Sequence, residues 1–353
     1  MIKKANKGEW SEFYAFLKIL FDHKLFSADE TFTIIPESFL EVLSVIRNED
    51  RDSLRYDIDE KKQVFNISKN DVFLTSVPFF RVGGKLDAIL KQIQSGGSKT
   101  GSFAIPDAEE LMDDLQCTKL KASSREKSDI LVSVHDIKSA TTQDRGFSIK
   151  SKLGGKSTLF NASGATNFLF KLVEGQQEKT PETKPRINLD EILDNKFTIQ
   201  FVDIQNTKFK ANLELVDSSM PELLSEVVKY YYLGYPPDIK TLTSILARKD
   251  PLKKQNPDFY RHKIQELLIS IALGMQPTKK WSGDNSATGG YIIVKEDGEL
   301  ACYHIYERDR FKRYLFSNTM LDTPSRSRHK FGTVFHQNGD SFINLNLQIR
   351  FTN

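Results

Sequence analysis

The apolar positions of this chain recur with two different periods. From Asn6 to Phe21 the residues Trp10, Phe13, Leu17, Leu20 and Phe21 fall at helical spacing, with Asn6 placed to cap the segment. Phe39–Ile46, Lys85–Gln94, Asp107–Leu115, Met220–Tyr232 and Asp258–Leu273 also read as helices. Asp57–Thr75 alternates as strands do, and so do the segments beginning at Gly290, Leu300, Thr333 and Phe342, the last running to Phe351. Between these lies Lys127–Asn167. Two strand-like runs are joined there by a hairpin-length polar connection. In the second run Phe147 and Ile149 share one face, Ser148 and Lys150 the other.

Glu174–Asn188 is polar, contains two prolines and has no apolar run before Ile187, so it reads as a linker or long loop. The division expected is a core over 1–173, a linker over 174–188, and a helical and β-rich part over 189–353 that packs with the core or apart from it. No internal repeat is apparent. The five acids of Asp107–Leu115 have no lysine neighbours in sequence and read as a solvated face, and Tyr230, Tyr231 and Tyr232 read as packing.

Composition adds bounds. With 353 residues, 39% hydrophobic and 27% charged, the chain is long enough for a sizeable core and ordinary for a globular protein. No apolar run is long enough to span a membrane, and the start lacks the apolar stretch of a signal peptide. Cys117 and Cys302 give neither a disulfide framework nor zinc spacing, so a cytoplasmic location is the expectation. The net charge of +3 announces no polyanion, but its distribution is uneven. Arg145–Ser157 holds four basic residues and no acid, and Tyr303–Lys330 holds seven Lys/Arg against three Asp/Glu. Such runs are ordinarily solvated faces; beside an acidic metal site they suit a polyanionic partner.

Asp129 opens the first run of the hairpin and Lys150 lies in the second. A carboxylate heading one strand and a lysine on the next are the parts of a metal-dependent phosphodiesterase: the acid holds Mg²⁺ and the lysine orients or activates the attacking water. Leu153–Ser157 invites a phosphate-loop reading, but that motif needs a glycine where Lys150 stands, which excludes an ATPase of that kind.

The arrangement resembles the PD-(D/E)xK nuclease motif, with Asp129 as its aspartate and Ser148-Ile149-Lys150 in the place of (D/E)xK. The longer string G-F-S-I-K-S-K-L-G resembles the Type II restriction endonucleases of the HpaII family. So do N-K-G-E-W-S-E at Asn6–Glu12, T-L-F-N-A-S-G-A-T-N-F at Thr158–Phe168 and T-P-S-R-S-R-H-K-F-G at Thr323–Gly332. The four blocks span nearly the whole chain. The resemblance implies a mixed α/β fold with a restriction-endonuclease-like core: a mixed central β-sheet flanked by helices, with further helical and β elements added. It implies Mg²⁺-dependent, sequence-specific double-strand cleavage of DNA at a short palindrome such as CCGG, blocked by cytosine methylation and leaving 5′-phosphate ends. It also implies a cognate DNA methyltransferase as a separate protein of the same system, and it allows a homodimer.

Residue by residue, the resemblance points to Asp129, Lys150, Ser148, Glu12 and Glu9 as catalytic, and to Asp129, Ile149 and Glu12 at the metal. Ser148 departs from the motif, since a serine supplies no second anion. That carboxylate is then expected from the first helix, Glu12 before Glu9, with Asp136 and Asp144 as fallbacks. The two glutamates also suit an exposed helix N-terminus. Candidate DNA contacts are Lys152, Asn161, Ser163, Thr166, Asn167, Arg308, Arg310, Arg313, Ser325, Arg326, Arg328, His329 and Lys330. Arg326 and Arg328 carry the planar forks that match guanine O6 and N7, and the alternative for them is pairing with Asp322. The small polar group from Asn161 to Asn167 equally suits turns and caps. Two other function classes compete with this one. One is a DNA-binding protein with a degenerate nuclease fold, for which Ser148 speaks and Asp129 and Lys150 do not. The other is an HNH nuclease using His304, Asn318 and His329, which lacks the spacing and the zinc cysteines.

Overall fold

The computed structural model describes residues 3–49, 52–97, 101–120, 128–175, 186 and 197–352. Within these the chain forms two compact units, residues 1–157 with 286–311, and residues 158–285 with 312–353. This differs from the division expected at 174–188. The segment 286–311 returns to the first unit because its strands complete the sheet begun before residue 157. Most of the expected linker, and Lys127 at the head of the hairpin, lie outside the described residues.

The first unit opens with helix α1 (Lys7–Asp22). Asn6 Oδ1 accepts the Glu9 N–H at 3.0 Å and Glu9 returns the bond to the Asn6 N–H at 3.0 Å, a reciprocal capping box. Trp10, Phe13, Phe16, Leu17 and Leu20 are fully buried, each burial worth about 1.5–3 kcal/mol. Strands β1 (Lys24–Ala28), β2 (Ile34–Glu49), β3 (Asp52–Asp59), β4 (Val64–Lys69) and β5 (Val72–Pro78) follow. The helix expected at Phe39–Ile46 is thus the middle of β2. A bulge between Val42 and Ser44 explains the false period: Ser38, Leu40 and Val42 face inward, Leu43 is the extra, exposed residue, and Val45, Arg47 and Glu49 resume one position out of phase.

Helices α2 (Phe79–Gly83), α3 (Leu86–Ser95) and α4 (Pro106–Asp114) come next. The acids of α4 are not merely solvated: Arg81 bonds Glu110 and Asp114, and Lys85 meets Asp107 and Glu110. Strands β6 (Ile130–Asp136) and β7 (Thr141–Ser151) form the hairpin read from the sequence.

The second unit contributes β8 (Thr158–Phe160), a 3-10 turn at Gly164–Thr166, β9 (Asn167–Glu174), β10 (Phe197–Ile204), α5 (Thr207–Val216), α6 (Met220–Tyr232), α7 (Ile239–Lys249) and α8 (Phe259–Leu273). The chain then re-enters the first unit as β11 (Gly290–Val294) and β12 (Leu300–His304), and continues as α9 (Arg308–Ser317), β13 (Thr319–Leu321), α10 (Arg326–His329), β14 (Val334–Gln337), β15 (Asp340–Asn346) and β16 (Ile349–Phe351).

The first unit is built on a nine-stranded mixed sheet in the order β1-β12-β11-β7-β6-β2-β3-β4-β5, with β1 also pairing the first half of β2. The β7–β11 and β1–β12 pairs are parallel and the others antiparallel. Helix α1 packs with α3 against β7 and β2, and Phe147, Ile149, Val132 and Val45 join its side chains in one core. The second unit carries two antiparallel sheets, β10-β9-β15-β14 and β13-β16-β8, with helices α5 to α8. Tyr230, Tyr231 and Tyr232 are buried there, as packing residues should be. Among the described residues no helix is long and apolar enough to cross a membrane.

Candidate active site at the head of the central hairpin

Gly146 lets the two strands of the hairpin approach at their site end. A side chain there would put Cβ 2.8 Å from both Cβ and Oγ of Ser128, closer than real Cβ atoms come. Its N–H donates to Thr288 Oγ1 at 3.2 Å, and its carbonyl accepts the Gly289 N–H at 2.8 Å. These bonds align the start of β11 beside β7. Gly290 has φ +120°, and a Cβ on it would meet the Tyr303 carbonyl oxygen at 2.1 Å, so only glycine fits between β7 and β12.

Asp129 stands just outside the ladder, immediately before β6. Its N–H donates to the Phe147 carbonyl at 2.8 Å. Its carboxylate oxygen Oδ2 accepts the Ile149 N–H at 2.8 Å and the Ser148 hydroxyl at 3.0 Å. Lys150 Nζ lies 3.4 Å from Ser148 Oγ and 5.5 Å from the centre of the Tyr291 ring. Tyr291 is the register partner of Ser148 on β11, so the two share a face. Burial, with the Asp129 charge adding to it, drives the Tyr291 phenol well above the ordinary tyrosine range. Asp129 and Lys150 are partly exposed, whereas Ser148 and Tyr291 are buried. The structure therefore joins Asp129, Ser148, Ile149 and Lys150, all named from the sequence, and adds Tyr291. The signal for Tyr291 was Thr288-Gly289-Gly290 before an apolar run, legible only once β11 is known to pair with β7.

The other acids are placed differently. Glu9 closes the capping box of α1. Helix α1 packs on the Phe147–Ile149 face of β7, where Ser11 and Ser151 hydroxyls meet at 2.9 Å. Glu12 follows Ser11 and is half-buried. Ser148 and Lys150 point to the opposite face. Asp144 sits four residues before Ser148 on β7, about 13 Å away at the strand rise. Asp136 lies seven residues beyond Asp129, about 23 Å along β6, and its carboxylate accepts the Lys138 N–H at 3.0 Å and the Ser139 hydroxyl at 2.8 Å. Neither fallback acid reaches a cation held at Asp129. Among the described residues no three His, Cys, Asp or Glu side chains converge as a metal cage. One firmly oriented carboxylate is nonetheless a donor set that Mg²⁺ accepts, because that ion keeps several waters and takes further oxygens from substrate phosphate.

The model of the HpaII restriction endonuclease family matches residues 6–351. The chain belongs to this family. It is 38% identical over 354 residues to the Type II restriction enzyme HpaII of Haemophilus parainfluenzae, covering 98% of each chain. No solved structure matches it. Membership carries the enzyme class, Type II restriction endonuclease, against the reading as a binding protein that does not cut. Of the HNH candidates, His304 belongs to the first unit and is buried, while Asn318 and His329 belong to the second.

In this family member the expected DNA contacts divide by exposure. In the first unit, Lys152 Nζ lies 3.7 Å from the centre of the Phe32 ring, and burial draws its ammonium below the usual lysine range. Arg310 pairs with Glu307, and Arg308 is half-buried. In the second unit, Asn161, Arg313, Ser325, Arg326, Arg328 and Lys330 are exposed. Arg326 Nη2 donates to the Gly332 carbonyl at 2.6 Å, tying down its own loop, and Asp322 pairs with Arg350. Ser163 caps the 3-10 turn. Thr166 and Asn167 are buried: Thr166 Oγ1 bonds Asn346 Oδ1 at 3.3 Å, Asn346 Nδ2 bonds Asn167 Oδ1 at 2.6 Å, and Asn167 Nδ2 donates to the His329 carbonyl at 3.0 Å. Their polar groups close the fold in the manner of turn and cap residues.

Proposed function

We propose that this chain makes Mg²⁺-dependent, sequence-specific double-strand cuts in DNA at a short G·C-rich palindrome such as CCGG, leaving 5′-phosphate ends. The observation that carries the reading is Asp129 held by the Ser148 hydroxyl and the Ile149 N–H, with Lys150 beside them, in a member of a restriction endonuclease family. The nine-stranded sheet with α1 against it is read as the restriction-endonuclease-like core. Asp129 is the principal metal ligand, joined by the Ile149 carbonyl and the Glu12 carboxylate. A divalent cation bound there supplies positive charge against the charge developing on the phosphate. The two donors on Oδ2 fix the Asp129 carboxylate in one orientation. Lys150 sets an ammonium beside the scissile phosphate and orients the attacking water. In-line attack breaks the P–O3′ bond, leaving a 5′-phosphate and a 3′-hydroxyl.

Arg328, exposed on the short helix α10, is the best-placed reader of guanine; Asn161, Arg313 and Lys330 are assigned to phosphates. Cytosine methylation by a separate cognate methyltransferase blocks the site, and a two-fold palindrome is suited to a homodimer. Incubating plasmid with the protein and Mg²⁺, then sequencing the fragment ends, tests this. Discrete fragments sharing a G·C palindrome and 5′-phosphates are expected. A mobility shift without cutting, or cutting that persists in excess chelator, overturns it.

A further inference from the structure

Lys150 raises a question that its sequence position does not answer. Its ammonium ends a chain of four rotatable bonds, and a catalytic charge must be held close to one position to be useful. The hydrogen bond to Ser148 Oγ is long, 3.4 Å. What else fixes the group lies on the neighbouring strand. β11 runs parallel to β7 with Tyr291 opposite Ser148 and Ile293 opposite Lys150. That register slants the Tyr291 ring beneath the lysine, 5.5 Å from ring centre to Nζ, within the range of a cation–π contact. The ring is a fixed platform. It is 4% exposed, and it packs on Phe311 at 5.3 Å between centroids, with Tyr303 next to it on β12 also against Phe311. The start of β11, one residue before Tyr291, is pinned by Thr288, Gly289 and Gly290. Lys152, just past the end of β7, also lies over a ring, that of Phe32, at 3.7 Å.

We propose that Tyr291 is a positioning residue for DNA cleavage: its buried ring seats the Lys150 ammonium, and it acts through that lysine without itself touching the DNA. The proposal rests on the active-site reading above, and the experiments separate the two. Supercoiled plasmid with Mg²⁺ reports cleavage under single-turnover conditions, and a duplex carrying one CCGG with Ca²⁺ reports binding. Tyr291→Met, close in bulk but without a ring, lowers the cleavage rate roughly 100-fold, the scale of a misplaced catalytic group. It leaves binding of the duplex within about threefold, where loss of fold would lower both. Tyr291→Phe, which keeps the ring, restores cleavage to within about threefold of the parent. In a Lys150→Gln background, Tyr291→Met has no further effect on residual cleavage, as two groups acting as one unit require. If Lys150→Gln cuts at the parent rate, the active-site reading fails. If Lys150→Gln is inactive while Tyr291→Met cuts normally, or if the two losses multiply, the active site stands and the Tyr291 proposal falls.

A second measurement needs no Tyr291 variant to fold. Lysines of the parent protein are reductively methylated with ¹³C, and the Lys150 signal is assigned by its absence in Lys150→Gln. An upfield ring-current shift of that signal is expected. A Lys150 signal at the position of the exposed lysines overturns the proposal.

Discussion

Two polar clusters, one in each unit, are built from similar residues and differ in where their bonds end. Ser163, Thr166, Asn167 and Asn346 form a closed set: three are buried, and their side chains bond one another or the main chain. Asp129, Ser148 and Lys150 form an open set. Two neutral donors converge on one carboxylate oxygen, and both charged members reach the surface. Both clusters contain small hydroxyl or amide residues next to short strands, and composition alone does not tell them apart. What differs is where the bonds end. In the first they end on one another, as buried polar groups must. In the second they converge on one carboxylate oxygen that, with the lysine beside it, lies at a partly exposed strand end.

The sharpest way to break this comparison is to remove the charges of the open set. Asp129→Ala and Lys150→Ala should each lower cleavage by about 10³-fold or more, the scale of essential groups, with specific binding in Ca²⁺ and thermal stability near the parent's. Either variant cutting at near-normal rates would remove the site assignment. Next comes the source of the second acid. Ser148→Ala removes one donor to Asp129 and should cost about 10–100-fold, as groups that orient a metal ligand do; Glu12→Gln should cost more. The reverse order, measured on plasmid with Mg²⁺, would detach α1 from the metal. In the closed set, Asn346→Ala leaves Thr166, Asn167 and the Ser163 carbonyl short of partners, at a cost of about 1–3 kcal/mol. The melting midpoint should fall by roughly 2–4 °C per kcal/mol, while the folded fraction still cuts.

Smaller effects sharpen the contrast further. Arg328→Ala should weaken the cognate duplex by roughly 1–3 kcal/mol and relax one base pair. A phosphate-only role would weaken cognate and random DNA alike and reduce the salt slope by about one. Glu9→Ala is the smallest: loss of one arm of the capping box costs under about 1 kcal/mol and leaves the cleavage rate alone. A large activity loss at Glu9 would return it to the metal site.

Much of this was legible in the sequence, for identifiable reasons. Local patterns carried α1, with its N-x-x-E cap, along with α3, α6, α8 and the β6–β7 hairpin, because the residues that stabilise each are its own neighbours. The Asn6-to-Glu9 spacing already contained the role of Glu9 as a cap, since the residues of a capping box are three apart. The bulge at Leu43 was hidden, since an inserted residue turns a period of two into something like a helical one. The pairing of Arg81 and Lys85 with α4 was hidden too, because those cations come from more than twenty residues away. Tyr291 and the return of 286–311 were the hardest to see, as nothing near them in sequence names β7 as their partner.

That last pairing has a consequence in time. Asp129 and Ser148 are 19 residues apart and can meet as soon as their hairpin forms, whereas Ser148 and Tyr291 are 143 apart, the difference of their numbers. At the pace of translation that separation is about 7–30 s. Throughout that interval one edge of β7 has no strand beside it, and the lysine has no ring beneath it. An emerging chain therefore holds the acid and the lysine long before it holds the strand that seats them. The strand that seats the lysine, Gly290–Val294, arrives only in the last fifth of synthesis.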